Sequence, residues 1–169
     1  MKNIKMKVKP SPLELKEFVV LDFHYDFNHP EKEISIPELF KEYNYDLDFA
    51  IKTSDPALIQ IFVKCDVNRG VSEPLPGYSL KVECMGMFSI TENQILDSKE
   101  EMETLVVNSG VVMTISYMRT FLAGITGHFP LGRILFPSID LKDLIARKKE
   151  QAKAKQEQSG KKKTKKGAK

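Results

Sequence analysis

The chain has 169 residues, with 26 Lys+Arg against 23 Asp+Glu, 41% hydrophobic residues, two Cys and no Trp. This length suits one domain with a sizeable core, and ten Phe with five Tyr argue against wholesale disorder. Two Cys make no disulfide framework, which points to a reducing compartment. No uninterrupted apolar run reaches the roughly 18 residues of a membrane-spanning helix, and the basic start lacks the apolar stretch of a signal peptide. The expectation is a soluble cytoplasmic protein.

The net charge of +3 hides an asymmetry. Residues 142–169 hold twelve Lys/Arg and three Asp/Glu, a net of +9, leaving fourteen basic and twenty acidic residues, a net of −6, in residues 1–141. The body is acidic with two basic ends, Lys2, Lys5, Lys7 and Lys9 lying at the start, and only the C-terminal tail supports an anionic partner.

In chain order, residues 17–27 alternate as a strand, with Val19, Leu21, Phe23, Tyr25 and Phe27 on one face and Phe18, Val20, Asp22, His24 and Asp26 on the other. Residues 36–43 suggest a helical turn or irregular crossover. Residues 43–52 put Tyr43, Tyr45, Leu47, Phe49 and Ile51 on one side, and residues 57–67 do the same with Ala57, Ile59, Ile61, Val63, Cys65 and Val67. Residues 78–90 start with Leu80, Val82 and Cys84 inward, then become apolar on both faces through Met85, Met87, Phe88 and Ile90. Asp55-Pro56 fits a hairpin and residues 68–77 a turn-rich loop. The four strands read as an antiparallel meander with one face buried.

The period then changes to that of a helix. Ser98 with Glu101 forms a capping box for a helix over roughly residues 98–126. Its apolar stripe is Met102, Leu105, Val106, Ser109, Val112, Met113, Ser116, Tyr117 and Phe121. Gly110, costing about 1 kcal/mol relative to Ala in mid-helix, marks close packing. Asp140 caps a second helix whose apolar positions, Leu141, Leu144 and Ile145, run out by residue 146. The fold class is α+β: a four-stranded antiparallel sheet with two C-terminal helices and a disordered basic tail. Residues 1–16 form a basic extension, 17–146 the domain and 147–169 the frayed Lys-rich end.

Chemistry is scarce. No glycine-rich phosphate loop is present. Cys65 and Cys84 sit on different strands at inward positions and read as small buried hydrophobes. His24 between Asp22 and Asp26 reads as a polar strand face rather than a metal site. No nucleophilic triad is indicated, so neither enzyme activity nor a cofactor or metal is expected.

Apolar surplus is the unusual feature. Phe18, Val20, Leu58, Phe62, Met85 and Met87 fall on the face that should be wet, which suggests oligomerisation or a site for apolar ligands.

Several segments resemble the SecB protein-export chaperone family. These are Gly86-Met87-Phe88-Ser89-Ile90, then Tyr117-Met118-Arg119 in the long helix, then Phe129-Pro130 and Pro137 before Asp140, Leu141 and Leu144. The resemblance runs from residue 17 to 146. It implies a homotetramer, a dimer of dimers, that holds unfolded or precursor polypeptides on apolar grooves without ATP and hands them to the export motor SecA. It also assigns Leu80, Val82 and Cys84 to the oligomer interface. Phe18, Leu58, Phe62, Met85 and Met87 are the candidate client-binding residues. A SecB-like chaperone of another client, such as an antitoxin, remains open. So does a ribosome- or nucleic-acid-tethered module using the Lys-rich tail, although stacking aromatics on a basic face are missing. An apolar small-ligand pocket is the third class.

Overall fold

The computed structural model describes residues 10–55, 58–91 and 98–151; the expectations for the basic extension at 1–9 and for the tail at 152–169 lie outside the described residues. The chain forms two compact units, Met1–Leu135 and Phe136–Lys169. In the first, four strands, β1 (Leu13–Asn28), β2 (Tyr45–Asp55), β3 (Leu58–Val67) and β4 (Gly77–Ile90), form an antiparallel sheet in the order β1-β4-β3-β2. The short helix α1 (Ile36–Glu42) lies between β1 and β2. The second unit carries a helix at residues 141–151, whose start is capped by Asp140 Oδ1 accepting from the backbone N–H of Lys142 at 2.9 Å and of Asp143 at 3.2 Å. The α+β class with a four-stranded antiparallel sheet and C-terminal helices is what the patterning predicts.

The connectivity is not a simple meander. Strands β2, β3 and β4 do follow one another, but β1 pairs with β4 across the sheet. The segment 29–44, with α1 in it, carries the chain past the whole sheet, a Greek-key arrangement. That leaves β1 and β2 as the two edges.

Strand β1 also breaks the period of two. Its pairing with β4 shifts register between Leu15 and Glu17 and between Val20 and Asp22, so Lys16 and Leu21 are extra residues. Each bulge turns the residues after it over. Phe18 stands opposite Gly86 and Val20 opposite Cys84, while Phe23, Tyr25 and Phe27 stand opposite Val82, Leu80 and Tyr78. Directly opposed residues share a face. Phe18 and Val20 therefore belong to the covered face, contrary to the expectation from strict alternation. Leu21 is turned outward and is 50% exposed.

The long helix has a seam as well. Helix α2 (Lys99–Leu105) passes through a π turn (Val106–Val111) into α3 (Val112–Thr126). Ser98 caps the helix as expected, its Oγ accepting from Glu101 N–H at 3.1 Å. The π turn, through its i→i+5 bonding, inserts one residue and re-phases the helix beyond it. The buried positions become Val106, Gly110, Val111, Thr114, Ile115, Met118, Leu122 and Thr126. Of the stripe predicted from an uninterrupted helix, Val112, Ser116 and Tyr117 are exposed.

Glycine makes the seam between helix and sheet close. A Cβ on Gly110 would lie 2.5 Å from Ile61 Cδ1 and 3.2 Å from Leu13 Cδ2, and one on Gly86 would lie 2.6 Å from Thr114 Oγ1. The residues Glu100–Thr126 are long and apolar enough to cross a membrane by length and composition. Glu101, Glu103, Asn108 and Arg119, with several Ser, Thr and Gly, interrupt this run, which is why no uninterrupted apolar stretch is seen. Its buried stripe faces β3 and β4, as a core helix does.

One loop residue organises the β3–β4 connection. Asn68 is buried in the left-handed region at φ 53°. Its Nδ2 donates to the carbonyls of Leu75 at 2.7 Å and Tyr78 at 2.8 Å, and its Oδ1 accepts from Leu75 N–H at 2.9 Å. Its own N–H donates to Asn44 O at 2.7 Å, and its carbonyl accepts from Ser79 Oγ at 3.0 Å.

Candidate functional site

The centre of the covered face, on β3 and β4, is closed to ligands. Leu80, Val82 and Cys84 are 0–1% exposed within the chain itself. They are core, and they offer no area to a second copy, so the oligomer-interface assignment does not hold for these three side chains. Burial pushes the Cys84 thiol up to about 12 and raises that of Cys65 further. A thiol so raised stays protonated and makes a poor nucleophile or ligand. Among the described residues, no group of three or more His, Cys, Asp or Glu is placed to hold a metal.

The open face carries the remaining surplus. Register across the four strands places Val19, Met85, Phe62 and Ala50 in one apolar row. Met87 lies in the next row, beside Glu17 and Gln60, and Leu58 lies at the near end of β3. Leu58, Phe62, Met85 and Met87 are thus on the open face, while Phe18 is not. A shallow slot of ≈ 190 Å³ runs beside Phe62, lined by Leu21, Ala50, Asp48 and Glu83 among others.

The far half of this face is charged. Lys81 Nζ bridges Asp22 at 2.9 Å and Glu83 at 3.0 Å, His24 lies 3.2 Å from Asp22, and Lys64 lies 3.1 Å from Asp66. The hydrogen bond from Lys81 holds the Asp22 carboxyl below its ordinary value and raises Lys81 in turn.

A groove of ≈ 620 Å³ runs between β1 and α3, lined by Phe18, Val20, Tyr117, Phe121, Ile125 and His128, with Thr120 and Gly124. Phe18 stacks on Tyr117 at 5.3 Å, and Phe23 meets Phe121 edge-on at 5.4 Å. Tyr117 is still 48% exposed and Val112 41%. The groove lies along an edge strand of 16 residues. Such an edge presents unpaired backbone donors and acceptors.

A second cleft, ≈ 410 Å³, has no counterpart in the sequence expectations. Phe27, Ile34, Ile36, Leu39, Pro130 and Leu131 give it apolar walls, and His29, Glu31, Lys32 and Glu33 a polar rim. The β1–α1 connection supplies one wall and the turn after α3 the other. Tyr78 fixes that turn: its hydroxyl donates to Gly132 O at 3.0 Å and accepts from Leu131 N–H at 2.7 Å. Around it, Phe129 packs on Tyr25 at 4.1 Å and Phe40 on Tyr78 at 5.6 Å. The signal is present in the apolar IPELF and HFPL segments, but nothing local says that they meet.

The geometry is thus that of an α+β protein with apolar clefts, an open sheet edge and no convergent catalytic set among the described residues. No family model matches the sequence, and no curated protein matches it. Among solved structures, the chain is similar to the Mycobacterium tuberculosis Rv1957 SecB-like chaperone, seen in complex with a ChAD peptide from the Rv1956 HigA1 antitoxin. The TM-score is 0.53 at 14% identity, covering 76% of this chain and 91% of that one. A protein of unknown function from Streptococcus agalactiae matches with a TM-score of 0.39 at 13% identity, over 75% of this chain and 97% of that one. The chain has a SecB-like fold.

Proposed function

We propose that this chain is an ATP-independent holding chaperone that binds unfolded polypeptides on apolar clefts and acts as a homo-oligomer. The observation that carries the reading is the apolar cleft walled by the β1–α1 connection on a SecB-like fold. Non-native chains expose apolar side chains, and this cleft offers partners for them.

The cleft at Phe27, Ile36 and Leu131 serves clients in this reading. The β1 edge and the exposed Tyr117 side of α3 serve assembly toward a dimer of dimers, taking the place of Leu80, Val82 and Cys84. The cytoplasm is the compartment that two free thiols suit. Export through SecA rests on the resemblance of Gly86–Ile90, Tyr117-Met118-Arg119 and Phe129-Pro130 to the SecB family. A chaperone of an antitoxin is the second reading, favoured by the antitoxin peptide on the Mycobacterium tuberculosis neighbour.

The test is aggregation of a chemically unfolded reporter diluted into buffer with the purified chain and no nucleotide. Suppression that rises with chain concentration and weakens in Ile34→Asp supports the reading. Aggregation unchanged by the chain overturns it. Light scattering on the same sample reports assembly, and Tyr117→Asp should lower the mass.

A further inference from the structure

We propose that the β2 edge of the sheet is a self-complementary interface, on which a second copy of this chain lays its own β2 antiparallel and joins the two sheets into one. This is the edge opposite to β1, and the inference does not rest on the chaperone reading.

Among the described residues, β2 pairs with β3 alone, so its outer side is a sheet edge. Phe49 shows which residues form that side. Its N–H donates to Asp48 Oδ1 at 2.9 Å, off the ladder. Ladder bonds alternate along a strand. Leu47, Ile51 and Thr53 therefore turn their backbone groups away from β3, in phase with Phe49, while Asp46, Asp48, Ala50 and Lys52 turn theirs toward it. A register shift beyond Thr53 ends the straight stretch.

Two identical antiparallel strands are symmetric about one point, and charge selects where it lies. Centred on Phe49, the pairing sets Asp46 against Lys52 of the second copy, and Lys52 against its Asp46. Leu47 then meets Ile51 on the covered side, and Asp48 meets Ala50. Centring on Asp48 or on Lys52 sets each of these against itself, and centring on Leu47 sets Asp46 against Asp48. Centring on Ala50 leaves Asp46 without a cation. Opposite charges directly across two strands attract and like charges repel. Asp46 has the most to gain, because it already stands opposite Asp66 in its own chain. Asp46 and Lys52 are both exposed, and neither has an ion-pair partner among the described residues. Ile51 is 37% exposed and Leu47 half-buried, so the pairing also covers apolar area. The Asp48 carboxylate must leave the Phe49 amide at the two-fold. The strip is also short, about 30 Å for residues 45–53 at roughly 3.4 Å each. Both features make the contact reversible and dependent on concentration. An arbitrary extended chain could use the same backbone row, but it would not match Asp46 and Lys52 at both ends.

Sedimentation equilibrium of the full chain over a range of concentrations tests this with charge-swap variants, each shown to be folded by circular dichroism. Lys52→Asp and Asp46→Lys should each weaken self-association about tenfold, since each turns two attractive pairs into repulsive ones. The two variants mixed in equal amounts should associate as the parent does, because each supplies the charge that the other lacks. The double variant Asp46→Lys/Lys52→Asp should recover alone for the same reason. Self-association equal to the parent in both single variants, or no recovery in the mixture and the double variant, overturns the proposal. Recovery in Asp48→Lys/Lys52→Asp instead overturns the Phe49-centred register. A fluorescent peptide of alternating valine and lysine probes the other occupant. If Lys52→Asp changes its binding while self-association stays that of the parent, the edge takes extended polypeptides and the second copy is overturned as its occupant.

Discussion

The two faces of the sheet both carry apolar residues, one nearly throughout and one in part, and they end differently. The covered face meets the helix so closely that Gly86 and Gly110 have no room for a methyl group, and its side chains are core. The open face has a comparable apolar row, Val19, Met85, Phe62 and Ala50, but it is interrupted by charge on the next strand positions. What separates them is first composition, with Ile59, Ile61, Val63, Cys65 and Val67 on the covered side of β3 and Gln60, Lys64 and Asp66 on the other. Shape comes second, as two β-bulges and a π turn fit β1 and the long helix to the apolar side.

The largest effect should come from the covered face. Val82→Asp places an unpaired carboxylate where Val82 is 1% exposed, at a cost of about 3–5 kcal/mol. That is a large share of the roughly 5–15 kcal/mol a domain of this kind has. Chemical denaturation should show a chain that is mostly unfolded or whose midpoint has collapsed. A folded variant with only a lower assembly mass would return Val82 to an interface.

Gly110→Ala sharpens the same contrast at the seam. On helix propensity alone the change should stabilise by about 1 kcal/mol. The new methyl would instead lie 2.5 Å from Ile61 Cδ1, and overpacking of this kind costs about 1–3 kcal/mol. The melting temperature should fall. A rise would mean that Ile61 moves aside freely and the seam is loose.

The smallest effect should be on the open face. Phe62→Ser removes a half-buried ring with solvent on one side, for about 1 kcal/mol or a shift of roughly 2–4 °C in melting temperature. A shift as large as that of Val82→Asp would show that the open face is covered within the chain.

Much of this architecture is legible in the residues. The alternation in β2, β3 and β4, the Ser98 capping box and the Asp140 cap are local signals, and each element forms where its signal lies. Gly110 is legible as a close approach. The phase of β1 is not, because nothing in Lys16 or Leu21 marks them as extra residues; the bulges arise from matching Leu13, Leu15, Phe18 and Phe23 all to one face. The π turn likewise depends on how the helix seats Val106 and Val111 against the sheet. Alternation does place Leu58, Phe62, Met85 and Met87 on the open face, whereas the cleft joining Ile36 to Leu131 depends on contacts nearly a hundred positions apart.

Asn68 has a consequence for how the chain acquires its shape. Its side chain and backbone make five hydrogen bonds, to Asn44, Leu75, Tyr78 and Ser79, and so tie the end of β2's approach, the β3–β4 loop and the start of β4 into one knot. Four of these are made to residues within eleven positions, so closing them costs little chain entropy. The β3–β4 hairpin can therefore form early with its register set, offering β2 and β1 a finished template on either side. The amide of the buried Asn68 is held in this knot, and its exchange should follow the opening of the hairpin as a whole rather than the breathing of a loop.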